Sequence, residues 1–142
     1  MTDAFLDRLI GEWTYEGRSI PDDGLVRTGT ETVVRRGVWL VIESSDGARF
    51  QLVFDPDTGR VVGDFVNWDH PGLWTYDGAV EDDRLALASR GPRMDGTDGE
   101  TDYLDVWEIL SPDQRRLTGR VLGADGEWRD FTVTDYRCSD AA

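Results

Sequence analysis

A chain of 142 residues and 16.0 kDa is sized for one hydrophobic core, and six Trp, five Phe and four Tyr supply the bulk to fill it. Fifteen basic residues against twenty-nine acidic ones leave a net charge of -14, the wrong sign for a phosphate backbone or an anionic bilayer, so neither nucleic acid nor membrane is an expected partner. Every basic residue is Arg, which excludes lysine Schiff-base chemistry, and the lone Cys138 excludes an intrachain disulfide and a multi-cysteine zinc site.

No apolar run approaches the roughly eighteen residues of a membrane-spanning helix, and no basic-then-apolar leader opens the chain. A reducing cytoplasm is therefore the expected setting. The acids comprise eight Glu and twenty-one Asp, a bias that suits either a GC-rich genome or a salt-adapted proteome.

Only one stretch reads as helix. Thr2 or Asp3 can cap it, and Phe5, Leu6, Leu9 and Ile10 fall on one face before Gly11 ends it, giving about two turns. From Glu12 onward, short runs rich in Val, Trp, Tyr, Phe and Thr alternate with turn punctuation. Strands are predicted over 12–20, 25–36, 38–45, 48–54, 60–69, 73–80, 84–89, 103–110, 116–122 and 127–137. Asp23-Gly24, Asp46-Gly47 and Asp125-Gly126 supply tight turns, and the low-complexity segment 91–102 reads as a mobile loop.

About ten short strands without crossover helices favour next-neighbour antiparallel pairing, and closing the sheet removes its exposed edges. The expected fold is all-β, an up-and-down barrel of about eight to ten strands with a short N-terminal helix, as a single domain over 1–142. Alternation places Phe50, Leu52 and Phe54 on one face and Trp13, Tyr15 and Gly17 on one face of theirs. In 103–110 the faces of Trp107 with Ile109 and of Val106 with Leu110 are both apolar, so inside and outside stay unassigned there.

The step Leu9-Ile10-Gly11-Glu12-Trp13, a short helix running through Gly-x-Trp into the first strand, resembles the entry of lipocalins and related calycin barrels. With Gly29-Thr30-Glu31, Gly37-Val38-Trp39-Leu40, Phe54-Asp55-Pro56-Asp57-Thr58-Gly59, Phe65-Val66-Asn67-Trp68 and the ending Tyr136-Arg137, the chain is similar to a bacterial lipocalin-like family of unknown function over nearly its whole length. The resemblance implies a closed barrel with an internal cavity and carriage of a small apolar molecule. It also implies a packing role for Trp13 across the closed end, and it transfers no catalytic residue.

Aromatic side chains are densest in 65–76. Trp68, Trp74 and Tyr76 are the candidate ring faces for a ligand, with Asn67 and His70 as polar anchors, although such rings also serve plain sheet packing. Phe65 and Trp68 have opposite parity and can share the inside only if a bulge lies near Asn67. His70, the lone histidine, sits in a His-Pro-Gly turn, and no histidine follows it, so neither haem nor any other cofactor is expected. The pairs Asp55 with Asp57, Asp82 with Asp83 and Asp95 with Asp98 read as solvated turns and no metal is expected. No serine has a nucleophile-elbow setting. Arg18, Arg120 and Arg137 are candidates for inward carboxylate binding, with the parity of Arg137 open.

Three functions compete: a non-catalytic binder of a small apolar or amphipathic ligand, a lyase or isomerase using a buried Asp or Glu of raised pKa in the same cavity, and a structural module or homo-oligomer with a filled barrel.

Overall fold

The structure, a computed structural model, describes residues 4–139. One helical turn, α1 (Ala4–Asp7), leads into ten strands: β1 (Gly11–Ser19), β2 (Arg27–Arg36), β3 (Trp39–Ser44), β4 (Ala48–Asp55), β5 (Arg60–Asn67), β6 (His70–Glu81), β7 (Arg84–Pro92), β8 (Glu100–Ser111), β9 (Gln114–Leu122) and β10 (Trp128–Cys138). Each strand pairs antiparallel with its sequence neighbours and β1 pairs with β10, closing a ten-stranded barrel without a free edge. No helix among the described residues is long and apolar enough to cross a membrane.

The expected strands and the observed ones differ mainly at two places. Segment 91–102 is not all loop: Gly91 pairs with Thr101 and Pro92 with Glu100, so the β7–β8 ladder runs on and only 93–99 lie outside strands. Thr101 is buried, its hydroxyl donating to the Leu122 carbonyl at 2.7 Å. Likewise His70-Pro71-Gly72 opens β6, because Asn67 pairs with His70 across the two-residue turn Trp68-Asp69. The helix is also shorter than its apolar spacing predicts. Phe5, Leu6 and Leu9 are buried, whereas Ile10 turns to solvent as the chain straightens into β1; the capping candidates Thr2 and Asp3 lie outside the described residues.

Strand alternation decides what fills the interior. Trp13 and Tyr15 of β1, Leu40 and Ile42 of β3, Phe50 and Leu52 of β4, Leu85 and Leu87 of β7, and Trp107 and Ile109 of β8 all point inward. Trp107 and Ile109 thus settle the face left open in β8, with Leu110 exposed. At the end where the helix packs, the Trp13 indole donates to the Leu9 carbonyl at 2.9 Å and Leu6 and Leu9 are wholly buried, so this end is plugged.

Candidate functional site

A clamp lies inside the plugged half. Glu31 of β2 and Arg115 of β9 are both essentially inaccessible and form an ion pair, and the second Glu31 oxygen accepts from the Ser44 hydroxyl at 3.0 Å. The guanidinium carbon sits 3.9 Å from the Tyr136 ring centroid, 4.6 Å from Trp13 and 5.0 Å from Trp107. Three rings and one carboxylate therefore compensate a buried charge whose Nε and Nη1 make no hydrogen bond. Burial lifts the Tyr136 hydroxyl well above its usual range, with Glu31 adding to it and Arg115 opposing.

The opposite half is hollow. A cavity of about 360 Å³ lies among Phe50, Phe65, Trp74, Tyr76, Tyr103 and Phe131, with Tyr15, Leu117 and Tyr136 beneath. Inward glycines leave room for the rings to lie against the wall. A Cβ on Gly91 would stand 2.1 Å from the Trp74 ring, and one on Gly119 would meet Thr132 at 2.6 Å and the Phe131 ring at 2.9 Å. Trp74 meets Tyr103 edge-on at 5.2 Å, and Phe131 meets Tyr103 edge-on at 6.0 Å. A register shift at Asp130/Thr132 lets Phe131 line the cavity together with Thr132.

Three charged groups border this space: Arg27 and the exposed Asp46 at the mouth, and Asp105 inside. Arg27, at the start of β2, reaches Ser19 and Thr132 hydroxyls at 3.3 and 3.4 Å at the mouth. Deeper, Asp105 of β8 turns inward and accepts a 2.5 Å hydrogen bond from the Tyr76 hydroxyl. Burial pushes the Asp105 carboxyl up to about 6, the Tyr76 bond only partly offsetting it, and burial with the neighbouring carboxylate raises the Tyr76 hydroxyl well above its ordinary value. Met94, from the 93–99 connection, covers part of the mouth, and Met94 and Phe131 also wall a second hollow of about 670 Å³ on the rim. The exposed Ile20, Leu25, Val26, Trp68, Leu73 and Trp128 belong to this same end of the barrel.

A third hollow, of about 760 Å³, lies on the outer surface over β2, β1, β10 and β9. Its side chains, such as Glu16, Arg116, Asp135 and Arg137, are water-facing, and Arg116 is paired with Asp135 at 2.7 Å. Such a face gives a small molecule little shelter, which makes the interior cavity the candidate site.

Of the residues singled out by sequence, Trp74 and Tyr76 line the cavity. Trp68 does not: it is 65% exposed in the β5–β6 turn. A register shift does fall between Phe65 and Asn67, and it keeps Phe65 inside without drawing Trp68 in. Asn67 is half-buried and accepts from the Asp69 amide at 2.9 Å, and His70 is exposed at the start of β6; neither lines the cavity. Arg137 faces out because Tyr136 takes the inward place, while Arg18 and Arg120 are outward partners of Glu16 and Asp130. Asp55 and Asp95 accept from the amides of Asp57 and Thr97, as turn residues do. Among the described residues no three His, Cys, Asp or Glu side chains converge on a metal position.

Asp105 and Arg115 escaped the sequence reading although a signal existed. Tyr103, Asp105, Trp107 and Ile109 share one parity, as do Arg115, Leu117 and Gly119, so assigning either aromatic or Leu117 to the inside carries the charged residue with it.

The sequence profile of a family described as "Protein of unknown function (DUF1579)" matches residues 2–138. No curated protein matches the chain. Among solved structures, a redesigned β-barrel is similar at TM-score 0.43 and 14% identity, over 93% of this chain and 92% of that one.

Proposed function

The chain belongs to the DUF1579 family of proteins of unknown function, and from the hollow half of its barrel we propose that it binds a small, largely apolar molecule carrying one polar group. The observation that carries this reading is the aromatic-walled cavity of about 360 Å³, within the range of small-molecule sites. Lipocalin-like carriage is the form this takes, supported by the Gly11-Glu12-Trp13 entry and by Trp13 at the plugged end. Trp74 and Tyr76 serve as contact surfaces. Trp68, with Asn67 and His70 beside it, belongs to the apolar rim a ligand crosses on entry. The cytoplasm is the setting proposed for it, in keeping with a free Cys138.

The test is twofold: titrate the neutral probe N-phenyl-1-naphthylamine and follow its emission, and solve the structure from native-host material to inspect the barrel interior. Saturable, stoichiometric binding supports the reading. A barrel that binds no apolar probe and carries no retained molecule ends it.

A second reading, acid–base catalysis on the bound molecule, has one specific observation behind it: a carboxyl of pKa about 6 inside the cavity, in contact with a tyrosine hydroxyl. A molecule recovered from the native protein and returned to wild type and Asp105→Asn separates the two. Conversion lost in the variant with binding retained favours catalysis, and no conversion by wild type favours carriage.

A further inference from the structure

Asp105 is an acid without a cation. Among the described residues its carboxylate's only hydrogen-bond partner is the Tyr76 hydroxyl, and no Arg or His lies within ion-pair distance. The neighbouring strands offer nothing further, since Asp105 stands opposite Leu87 on β7 and opposite Gly119, which has no side chain, on β9. Arg115, the buried arginine of the plugged half, is already committed to Glu31 and three rings. A carboxylate that is partly desolvated and gains no counter-charge is costly, and here the half-buried Asp105 lines an open space instead of packing against side chains.

The walls of that space are suited to a cation as well. Phe65, Trp74, Tyr103 and Phe131 surround it with ring faces and edges, and aromatic faces attract a positive charge most strongly where water is excluded. At the mouth, Arg27 carries the opposite charge, but it is exposed and held by two hydroxyls, and the exposed Asp46 lines the same opening, so the attraction of the mouth for an anion is screened and partly cancelled. The deep end therefore governs selection, and the net charge of -14 draws cations toward it.

Resting on the cavity reading above, we infer that the ligand is an organic amine: an aromatic or aliphatic body against Trp74, Tyr103 and Phe131, with its ammonium donating to Asp105. Tyr76 acts as a positioning residue, fixing one carboxylate oxygen so that the other faces the ligand.

Three probes that share an indole-ethyl body test this by calorimetry at pH 7.5: tryptamine, which is cationic, tryptophol, which is neutral and of the same size, and indole-3-propionate, which is anionic. On wild type, tryptamine binds at least tenfold tighter than tryptophol, and indole-3-propionate binds weakest. In Asp105→Asn, tryptamine falls to within about twofold of tryptophol while tryptophol is unchanged. In Glu16→Gln, which removes an outward acid, the tenfold preference persists, separating a local ion pair from the field of the whole molecule. If tryptophol binds wild type as tightly as tryptamine, the amine assignment fails while the cavity reading stands. A preference abolished equally by Glu16→Gln also overturns it. If neither the indoles nor N-phenyl-1-naphthylamine bind, both readings fall. If Asp105→Asn does not fold, the wild-type preference decides the matter through its persistence in both Glu16→Gln and Asp46→Asn, and its loss in either variant overturns the assignment.

Discussion

The plugged and hollow halves of this barrel share the same ten strands and the same alternation of inward and outward side chains, and they differ only in which residues stand at inward positions. Below, the inward sites hold Trp13, Leu40, Leu52, Val61, Leu85 and Trp107, and the helix lays Leu6 and Leu9 over the end. Above, they include Gly17, Gly29, Gly91 and Gly119, and the rings of Tyr15, Trp74 and Phe131 fold sideways over the last three of these gaps. Each half also buries charge. Below, Arg115 and Glu31 neutralise one another; above, Asp105 has a hydroxyl for company and an open space beside it. Charge that is fully compensated serves the fold, and charge left uncompensated next to a cavity is the mark of the site.

The sharpest way to break that contrast is to remove half of the clamp. Arg115→Met leaves Glu31 buried without its partner, and urea unfolding is expected to show a loss of about 3–5 kcal/mol. A loss under about 1 kcal/mol would mean that the plugged half does not depend on its ion pair.

Asp105 should behave in the opposite sense. Its native pKa of about 6 lies above the ordinary 3.8, so its contribution to stability is fully present below pH 3.8 and is lost as pH rises through 6. Relative to wild type, Asp105→Asn is therefore expected to gain about 2–3 kcal/mol on going from pH 4 to pH 8. Chemical denaturation at the two values measures the difference, and a difference independent of pH would remove the uncompensated carboxylate.

Smaller effects resolve the wall from the rim. Trp74→Ala, with native circular dichroism, should weaken N-phenyl-1-naphthylamine by about 1–3 kcal/mol, the loss of one aromatic contact set. Trp68→Ala, on the exposed turn, should change neither stability nor probe affinity by more than about 0.5 kcal/mol. Equal losses in both variants would erase the distinction between cavity and rim.

Most of the architecture was legible in the sequence because short β-branched and aromatic runs separated by Asp-Gly turns have few other solutions. Gly24, Gly47 and Gly126 all adopt the positive φ that those turns require. The site was harder to read. Trp74 and Tyr76 follow from two-residue parity, but Trp68 was drawn in by its chemistry, since nothing in Asn67-Trp68-Asp69 says that a two-residue turn places the ring outside. Asp105 looked like one more acid among twenty-one Asp, and only its parity with Trp107 marks it as internal. The aromatic 65–76 segment drew attention by density, whereas the hollow itself depends on glycines spread over four strands, a pattern that composition in a window does not display.

Nine of the ten ladders join strands adjacent in sequence, whereas the β1–β10 ladder brings Trp13 beside Cys138 across nearly the whole chain. Hairpins can zip up locally, but that seam must gather two distant segments before it gains any contact, which makes it the slow step of folding. Arg115 straddles this seam: from β9 it reaches Trp13 and Tyr136 on either side, Glu31 on β2 and Trp107 on β8. Its five-strand grip can assemble only once the ring has closed, so it acts as a latch on the finished barrel, holding down the rate at which the seam reopens while leaving the speed of closure to the hairpins.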